Sequence, residues 1–274
     1  MLNEVNKPEK AYKSLPFLNS PDARALRILA EYLEPMQRFQ KEQVQDTIVF
    51  FGSARSIPQI EAQNRFDKLK NEAKGSSDDS KVVMEELRMA ETALDFSRFY
   101  EDAVKLAALL TSWSLDSELG RRFVVCSGGG PGIMEAANKG AHQAGGQSIG
   151  LNISLPFEQH ANPYITDGLN FEFHYFFMRK LWFVYLAKAV VVFPGGFGTL
   201  DEFMEVLTLL QTKKTTKSVP IVIYGTEFWN EILNFEALVK WGVISPEDLQ
   251  MFHFADTPEE ASEYLIGELQ RIHL

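Results

Sequence analysis

Residues 189–202 join an apolar run to a glycine turn and the start of a helix. The run 189–193 (AVVVF) is followed at once by 194–202 (PGGFGTLDE). Glycine lets the backbone turn tightly and approach a ligand, and the first N–H groups of a helix have no partner inside that helix. The stretch therefore predicts a buried strand, a tight turn and a helix whose N-terminus can bind an anion such as a phosphate.

A second glycine turn with the same layout lies earlier in the chain. The apolar residues 123–126 (FVVC) precede 127–132 (SGGGPG), and helical spacing follows over 133–141. Pro131 suits the first turn of a helix, where its missing N–H costs nothing. One glycine loop is weak evidence, because tight turns need glycine anyway. Two such loops at the carboxyl ends of predicted strands indicate a ligand site, since ligands of open α/β sheets bind at that edge.

Apolar strands alternate with helices along the whole sequence, which predicts the α/β class. Most of the strands are continuous apolar runs, and this is typical of a parallel sheet with helices on both faces. We predict strands at 47–51, 123–126, 148–153, 169–173, 189–193 and 219–224. We predict helices at 20–34, 95–112, 133–141, 176–188, 227–240 and 258–271, the first of them capped by Ser20 and ending at Pro35.

The 274 residues are enough for one large α/β domain. We expect residues 1–45 to form a loose arm (1–19) and a helical extension that packs on the core, and 46–274 to form a single domain. Residues 56–95 are a highly charged insert, within which 74–80 (KGSSDDS) is typical of an exposed loop. Neither an internal repeat nor a linker rich in proline, glycine or serine divides the chain.

Composition excludes several classes of protein. The formal net charge of −10 argues against general binding to nucleic acid or a membrane surface, because no basic stripe offsets it. The only cysteine, Cys126, lies in a predicted buried strand, so we expect no disulfide and a cytoplasmic location. We expect no signal peptide or membrane span, since no apolar segment has the required form. No side chains have metal-ligand spacing, and we expect neither a metal nor a cofactor.

The two glycine turns resemble the paired motifs of the LOG family, which are proteins related to the plant cytokinin-activating enzymes. Residues 128–135 (GGGPGIME) resemble the family's GGGxxGxM element, and 194–202 match its PGGxGTxxE element. Residues 177–180 (FMRK) resemble its arginine–lysine element, and 52–55 (GSAR) resemble the loop after its first strand. The resemblance covers about residues 46–225, and the N-terminal helix and the charged segment 56–95 resemble the longer bacterial members rather than the short plant form.

The resemblance implies a Rossmann-like, doubly wound fold that binds a nucleotide. It also implies hydrolysis of the N-glycosidic bond of a nucleoside 5′-monophosphate, such as AMP or a cytokinin riboside monophosphate, to free base and ribose 5-phosphate. By motif position, Arg179 and Glu202 would be the catalytic pair, and the substrate phosphate would be held by Gly195, Gly196, Gly198 and Thr199. The other predicted pocket residues are Ser53, Arg55, Gly128, Gly129, Gly130 and Glu205.

Glu202 has two interpretations. An ionised carboxylate near C1′ would stabilise the positive charge that builds on the sugar as its bond to the base breaks. Thr199 and Glu202 also have the spacing of a capping box, in which the glutamate accepts the Thr199 N–H. Spacing alone favours capping, whereas the glycine turn and the family motif favour catalysis. Glu205 would support another residue of the site, contact the ligand or be solvated, and Asp201 would be a first-turn acid that complements the helix dipole.

The positions of Arg179 and Lys180, which precede the central strand, also have alternative interpretations. Aromatic neighbours predict that Arg179 lies on a buried helix, where an unpaired arginine is costly. We therefore expect Arg179 to contact the ligand or Glu202, and the alternative is a surface arginine. We expect Lys180 to point to another side of the helix. Ser53 and Arg55 would either contact the substrate or stabilise their loop.

Three functions stay open on the sequence. One is a nucleoside-monophosphate phosphoribohydrolase, and another is a carrier that binds a nucleotide or molybdenum cofactor without cleaving it. A lysine decarboxylase, the former label of many LOG proteins, would need a pyridoxal cofactor, and nothing around Lys180 or Lys188 indicates such a site. The expected partners are a small-molecule nucleotide and a second subunit. The apolar helix at 175–187 and the helix after Thr199 predict the interface of a homodimer or higher homo-oligomer.

Overall fold

The structure is a computed structural model that describes residues 8–75, 81–116, 122–156, 160–215 and 217–273. Residues 1–7 of the predicted arm and 76–80 of the predicted exposed loop lie outside these ranges. The strands are β1 Asp46–Phe51, β2 Phe123–Ser127, β3 Ser148–Ile153, β4 Asn170–Phe173, β5 Ala187–Val192, β6 Ile221–Tyr224 and β7 His253–Ala255.

All these strands pair in parallel in one sheet, in the order β4-β3-β2-β1-β5-β6-β7. The chain runs outward from β1 to β4, returns to the other side of β1 at β5, and continues to β7. This reversal between β1 and β5 is the switch point of a doubly wound sheet, and it places the loops after β1 and β5 side by side. The α/β class and the parallel sheet are therefore confirmed. The sequence did not predict β7, which has only three residues.

The helices cover both faces of the sheet. They are α1 Leu15–Leu18, α2 Arg24–Lys41, α3 Gln59–Gly75, α4 Lys81–Phe96, α5 Arg98–Asp116, α6 Ile133–Gln143, α7 Phe176–Tyr185, α8 Phe197–Gln211, α9 Thr226–Ile232, α10 Phe235–Lys240 and α11 Pro258–His273. None of these helices, within the part of the chain that the structure describes, is both long and apolar enough to cross a membrane.

Successive residues of each central strand supply two separate cores. In β1, Val49 and Phe51 face one core, and Ile48 and Phe50 face the other. Residues of α2, α7, α8, α9 and α10 fill the first core, and residues of α5, α6 and α11 fill the second. Because β1, β2 and β5 are buried on both faces, their sequences read as continuous apolar runs.

Helix α2 continues through Pro35 to Lys41, whereas the sequence predicted its end at Pro35. Proline has no N–H to donate to the carbonyl four residues earlier, which here belongs to Glu31. In the structure the indole Nε1 of Trp182, on α7, donates to that carbonyl at 2.9 Å. The freed carbonyl therefore has a partner, and the helix continues. Ser20 does not cap α2, since a 3-10 turn at Pro21–Ala23 precedes it and the Ser20 side chain makes no capping bond.

Several other boundaries differ from the predictions. Residues 8–19 form a 3-10 turn and α1 rather than a loose arm, and the charged insert folds as α3 and α4, which pack on each other. Helix α7 ends before 188, because the Leu186 carbonyl accepts the Thr47 N–H (2.9 Å) as β5 begins. The predicted helix 227–240 is divided, since the Asn234 side chain accepts the Ala237 N–H at 2.8 Å and begins α10. The domain boundary near residue 45 stays a prediction.

The two glycines that flank α6 allow the cost of backbone strain to be distinguished from the cost of a steric collision. Gly132 and Gly145 both have positive φ, +73° and +76°, but an added Cβ would collide with the Ser53 carbonyl oxygen at 132 and meet nothing within 4 Å at 145. We expect Gly145→Ala to lower the free energy of unfolding by about 1 kcal/mol and Gly132→Ala to lower it by roughly 3 kcal/mol or more. Urea denaturation measures both, and equal losses would contradict the close approach of Ser53.

Candidate active site

The loops after β1, β2 and β5 are bound together through the main chain of Ser53. Its N–H donates to the Pro194 carbonyl at 3.0 Å, and its carbonyl accepts the N–H of Ile133, the first residue of α6, at 3.0 Å. A Cβ on Gly195 would lie 3.0 Å from the Ser53 nitrogen, and one on Gly132 would collide with its carbonyl oxygen. The two glycine turns therefore approach each other because these positions lack side chains.

The turn after β5 leaves the N-terminus of α8 open. Helix α8 begins at Phe197 after the N-cap Gly196, and no side chain caps it. Leu200 donates the first helical bond, to the Gly196 carbonyl (3.0 Å), so the N–H groups of residues 197, 198 and 199 have no acceptor within the helix. Gly196 and Gly198 are exposed, and added Cβ atoms there would meet nothing within 4 Å. This end of α8 has the donors and the space that an anion requires.

Glu202 lies in the second turn of α8 and is 7% exposed. The N-cap residue of α8 is Gly196 and not Thr199, which is already inside the first turn, so the alternative interpretation of Thr199 and Glu202 as a capping box is wrong. Burial raises the pKa of Glu202 to about 7. Arg179 and Lys180 oppose this shift, while Glu205 and Asp201 add to it. Glu202 therefore changes charge close to neutral pH, as expected of a functional carboxyl group.

Arg179 reaches from α7 to the first glycine turn. Its Nε donates to the Leu151 carbonyl at 2.8 Å, and its guanidinium carbon lies 5.1 Å from the centroid of the Phe183 ring. A Cβ on Gly128 would lie 2.5 Å from the Arg179 Nη2 atom and 2.5 Å from the Met134 Sδ atom, so a side chain at 128 would displace the ends of both. Burial lowers the pKa of Arg179, and the charge of Glu202 raises it. Arg179 is therefore a partly buried cation between the first glycine turn and Glu202.

The sequence predicted that Lys180 points to another side of α7, away from the site, and this prediction is wrong. Its Nζ lies 2.9 Å from Asp201 Oδ1 and 3.1 Å from Glu205 Oε2, so it pairs with the two carboxylates that flank Glu202 on α8. The first turn of α8 has no acidic residue, so the predicted dipole role of Asp201 is wrong, and Asp201 joins α8 to α7 instead. Spacing within α7 alone could not reveal this pair, because it depends on how α8 packs against α7.

Two buried asparagines hold the first glycine turn, and the sequence did not predict this role. The Asn162 Nδ2 donates to the carbonyls of Gly129 (3.0 Å) and Gly130 (3.1 Å), and its N–H donates to the Gly129 carbonyl (2.8 Å). The Asn138 Oδ1 accepts from Ser127 Oγ (2.7 Å) and from Asn162 Nδ2 (2.9 Å). Gly129 and Gly130 are buried in this network, so the turn is a fixed wall beside Arg179.

The remaining predicted residues are at the border of the site. The Ser53 Oγ accepts the Arg55 N–H at 3.1 Å, which stabilises their loop, and the Arg55 side chain is exposed. Glu205 is part of the Lys180 ion pair. Within the described residues, no group of three or more His, Cys, Asp or Glu side chains is arranged to hold a metal. The structure thus brings the two glycine turns, Ser53, Arg179 and Glu202 to one edge of the sheet.

Comparison with known proteins finds a match to one family model and several curated relatives. Residues 134–265 match the family model described as "Possible lysine decarboxylase". The chain is 27% identical, over 172 residues, to a protein of Oryza sativa subsp. japonica named "Probable cytokinin riboside 5′-monophosphate phosphoribohydrolase LOGL2". It is 30% identical, over 117 residues, to the "Pyrimidine/purine nucleotide 5′-monophosphate nucleosidase" of Escherichia coli (strain K12). These matches confirm the resemblance to the LOG family.

The alignments cover only part of each chain. They span 61% of this chain and 66% of the rice protein, and 38% of this chain and 25% of the bacterial protein. Among solved structures, the molybdenum cofactor binding protein from Rippkaea orientalis aligns with 81% of this chain and 96% of its own, at 17% identity and a TM-score of 0.49.

Burial of Glu202 makes the stability of the fold depend on pH. Its pKa is raised from an ordinary 4.5 to about 7, so the charged form destabilises the folded state, increasingly as pH rises from 4.5 to 7. Glutamine at 202 has no charge to bury at any pH. We therefore expect the free energy of unfolding of Glu202→Gln to rise by about 1–3 kcal/mol relative to that of the natural chain as the pH goes from acid to alkaline, since one pKa unit is worth about 1.4 kcal/mol. Urea denaturation at a series of pH values measures this. A difference that does not vary with pH would contradict the burial of the carboxylate.

Proposed function

We propose that this homologue of the LOG proteins hydrolyses the N-glycosidic bond of a nucleoside 5′-monophosphate to free base and ribose 5-phosphate. By their names, the curated relatives act on cytokinin riboside or on pyrimidine and purine nucleotide 5′-monophosphates. One observation carries the proposal. A buried carboxyl group, Glu202, lies one turn beyond a helix N-terminus that is open to an anion.

The spacing along α8 fits a phosphorylated sugar. Glu202 is three positions after Thr199, which is about 4.5 Å along the helix axis. A phosphate held by the N–H groups of residues 197–199 would therefore place the ribose ring over the next turn, with C1′ towards Glu202. Thr199 is 6% exposed, and its side chain packs against Gly195, so the phosphate would contact main-chain donors at a fixed place.

The proposed reaction replaces the C1′–N bond with a C1′–O bond to water. As the base leaves with the bonding electrons, positive charge develops on C1′ and the ring oxygen. An ionised Glu202 stabilises this charge and orients the attacking water, and the departing base takes up the proton that the water loses. Low exposure strengthens the interaction, because few water molecules screen it.

Arg179 and Lys180 have different roles in this scheme. Arg179 is held by the Leu151 carbonyl through Nε, and its charge lowers the pKa of Glu202 and so favours the ionised form. Its guanidinium can also bind a ribose hydroxyl or the phosphate. Lys180 partly offsets the charges of Asp201 and Glu205, which make ionisation of Glu202 harder. Both cations therefore favour the ionised form of Glu202, which is the form that the proposed reaction uses.

The predicted homodimer is part of the proposal. On α7, Phe176, Phe177 and Leu181 are 52%, 49% and 39% exposed, and Phe197, at the start of α8, is 92% exposed. Apolar side chains of this size bordering a nucleotide site are typical of a surface that another subunit covers. A second subunit at this surface would form the outer wall of the pocket.

Purified protein with AMP tests the activity. We expect free adenine and ribose 5-phosphate, and we expect Glu202→Gln and Arg179→Ala each to reduce kcat roughly 10²-fold or more, since each removes charge stabilisation from the transition state. Chromatography of the bases measures the rate. Glu227→Gln, at a glutamate that is 81% exposed on α9, is the matched control and should retain full activity.

Two results would contradict this assignment. One is the absence of base release from all purine and pyrimidine monophosphates. The other is recovery of intact nucleotide from a stable complex, which would identify a carrier. Circular dichroism of each variant distinguishes a lost catalytic group from a lost fold.

A further inference from the structure

Glu31, in the middle of α2, binds the start of α7 with its carboxylate. Its Oε1 accepts the His174 N–H at 2.8 Å, and its Oε2 accepts the Tyr175 N–H at 3.2 Å. His174 and Tyr175 are the two residues between β4 and α7, and Tyr175 is the N-cap of α7, whose own side chain makes no capping bond. A carboxylate at this end of a helix also complements the helix dipole. The start of the helix that carries Arg179 is therefore held by a residue of another helix.

The main chain of Glu31 binds α7 at a second place. Pro35 leaves the Glu31 carbonyl without a donor in α2, and the Trp182 Nε1 donates to it at 2.9 Å. Trp182 is buried, and its ring also stacks against Tyr32, the residue after Glu31, with 5.8 Å between the ring centroids. Glu31 thus binds α7 on both sides of Arg179 in the sequence.

Few bonds separate Glu31 from the guanidinium of Arg179. The carbonyl of Tyr175, whose N–H is bound by Glu31, accepts the Arg179 N–H at 3.2 Å. The Arg179 side chain then extends to the Leu151 carbonyl on β3. A shift of the start of α7 would therefore move the Arg179 guanidinium relative to Glu202, whose pKa depends on that charge.

We propose that Glu31 is a positioning residue of the candidate site, and that its hold on α7 sets where Arg179 lies relative to Glu202. Glu31 acts through α7 and is not itself a catalytic residue. Its effect on catalysis rests on the proposed function, whereas its effect on the position of Arg179 does not. Pro35 contributes to the same hold, because it frees the carbonyl through which Glu31 binds Trp182.

The charges around Glu202 fix the direction of the expected effect. Burial raises the pKa of Glu202, as do the charges of Glu205 and Asp201 on α8, whereas Arg179 and Lys180 on α7 lower it. Both of the cations are on α7, so displacement of α7 weakens their effect while the two carboxylates of α8 stay in place. The pKa of Glu202 would then rise above its value of about 7, and the ionised form would appear only at higher pH.

Glu31→Ala and Glu31→Gln test the proposal with AMP as the substrate. Alanine removes both acceptor oxygens, and glutamine retains one and replaces the other with an N–H donor. Because a small displacement near the reacting atoms is costly, we expect kcat to fall about 10-fold or more with alanine and less with glutamine. We expect KM for AMP to change little, since the N–H groups at the start of α8 are untouched. The acid limb of kcat/KM against pH should move to higher pH.

The titration of Glu202 is a readout that does not need catalysis. The carboxyl signals of ¹³C-labelled glutamate report each titration by NMR, and Glu202→Gln identifies the signal of Glu202. We expect Glu202 in the Glu31→Ala chain to titrate at a higher pH than Glu202 in the natural chain. If the natural chain releases no base from AMP, the proposed function fails, while this titration still tests the position of Arg179.

Glu34→Ala is the matched control. Glu34 lies one turn further along α2, is 52% exposed and pairs with Arg38 of the same helix, so its loss should leave kcat and the titration of Glu202 unchanged. An unmoved acid limb and an unchanged titration of Glu202 in Glu31→Ala would overturn the proposal, even if activity falls because less protein is folded. An equal shift with Glu34→Ala would also overturn it. So would a Glu31→Gln chain that circular dichroism shows to be unfolded, because the carboxylate would then be a requirement of the fold itself.

Discussion

The main chain of Ser53 joins the parts of the candidate site. Its N–H and carbonyl contact the loop after β5 and the start of α6, respectively, at the point where the order of the strands reverses. Glycine lies beside both contacts: a Cβ at Gly132 would collide with the Ser53 carbonyl oxygen, and one at Gly195 would collide with the Thr199 side chain and lie 3.0 Å from the Ser53 nitrogen. The open N-terminus of α8 and the first glycine turn are therefore held together by main-chain hydrogen bonds, which do not depend on the side chains of the site.

The charged side chains of the site are arranged around Glu202 at a cost in stability. Burial makes its ionisation unfavourable, and Arg179 and Lys180 only partly offset this. Lys180 is itself shared between Asp201 and Glu205, so one ammonium serves two carboxylates. A fold selected for stability alone would not bury such a group, and a carboxyl group that titrates near neutral pH is typical of a site that uses the proton or the charge.

The sequence predicted the backbone of the site better than its side-chain contacts. Strand, turn and helix could be read at 123–141 and 189–202, because glycine and apolar runs act locally. The two interpretations of Glu202 could not be separated, since capping depends on whether α8 begins at Phe197 or after Thr199. The pairing of Lys180 with α8 and the hold of Asn162 on Gly129 depend on elements far apart in sequence. The continuation of α2 beyond Pro35 could not be predicted for the same reason. The carbonyl that Pro35 leaves without a donor is satisfied by Trp182, which lies on another helix.

A crystal structure of the Glu202→Gln variant with AMP is the measurement that tests the central claim most directly. The account predicts phosphate oxygens within hydrogen-bond distance of the N–H groups of residues 197–199, and C1′ of the ribose facing residue 202 with Arg179 beside it. A phosphate bound away from α8, or a ribose with C1′ turned away from residue 202, would contradict the account.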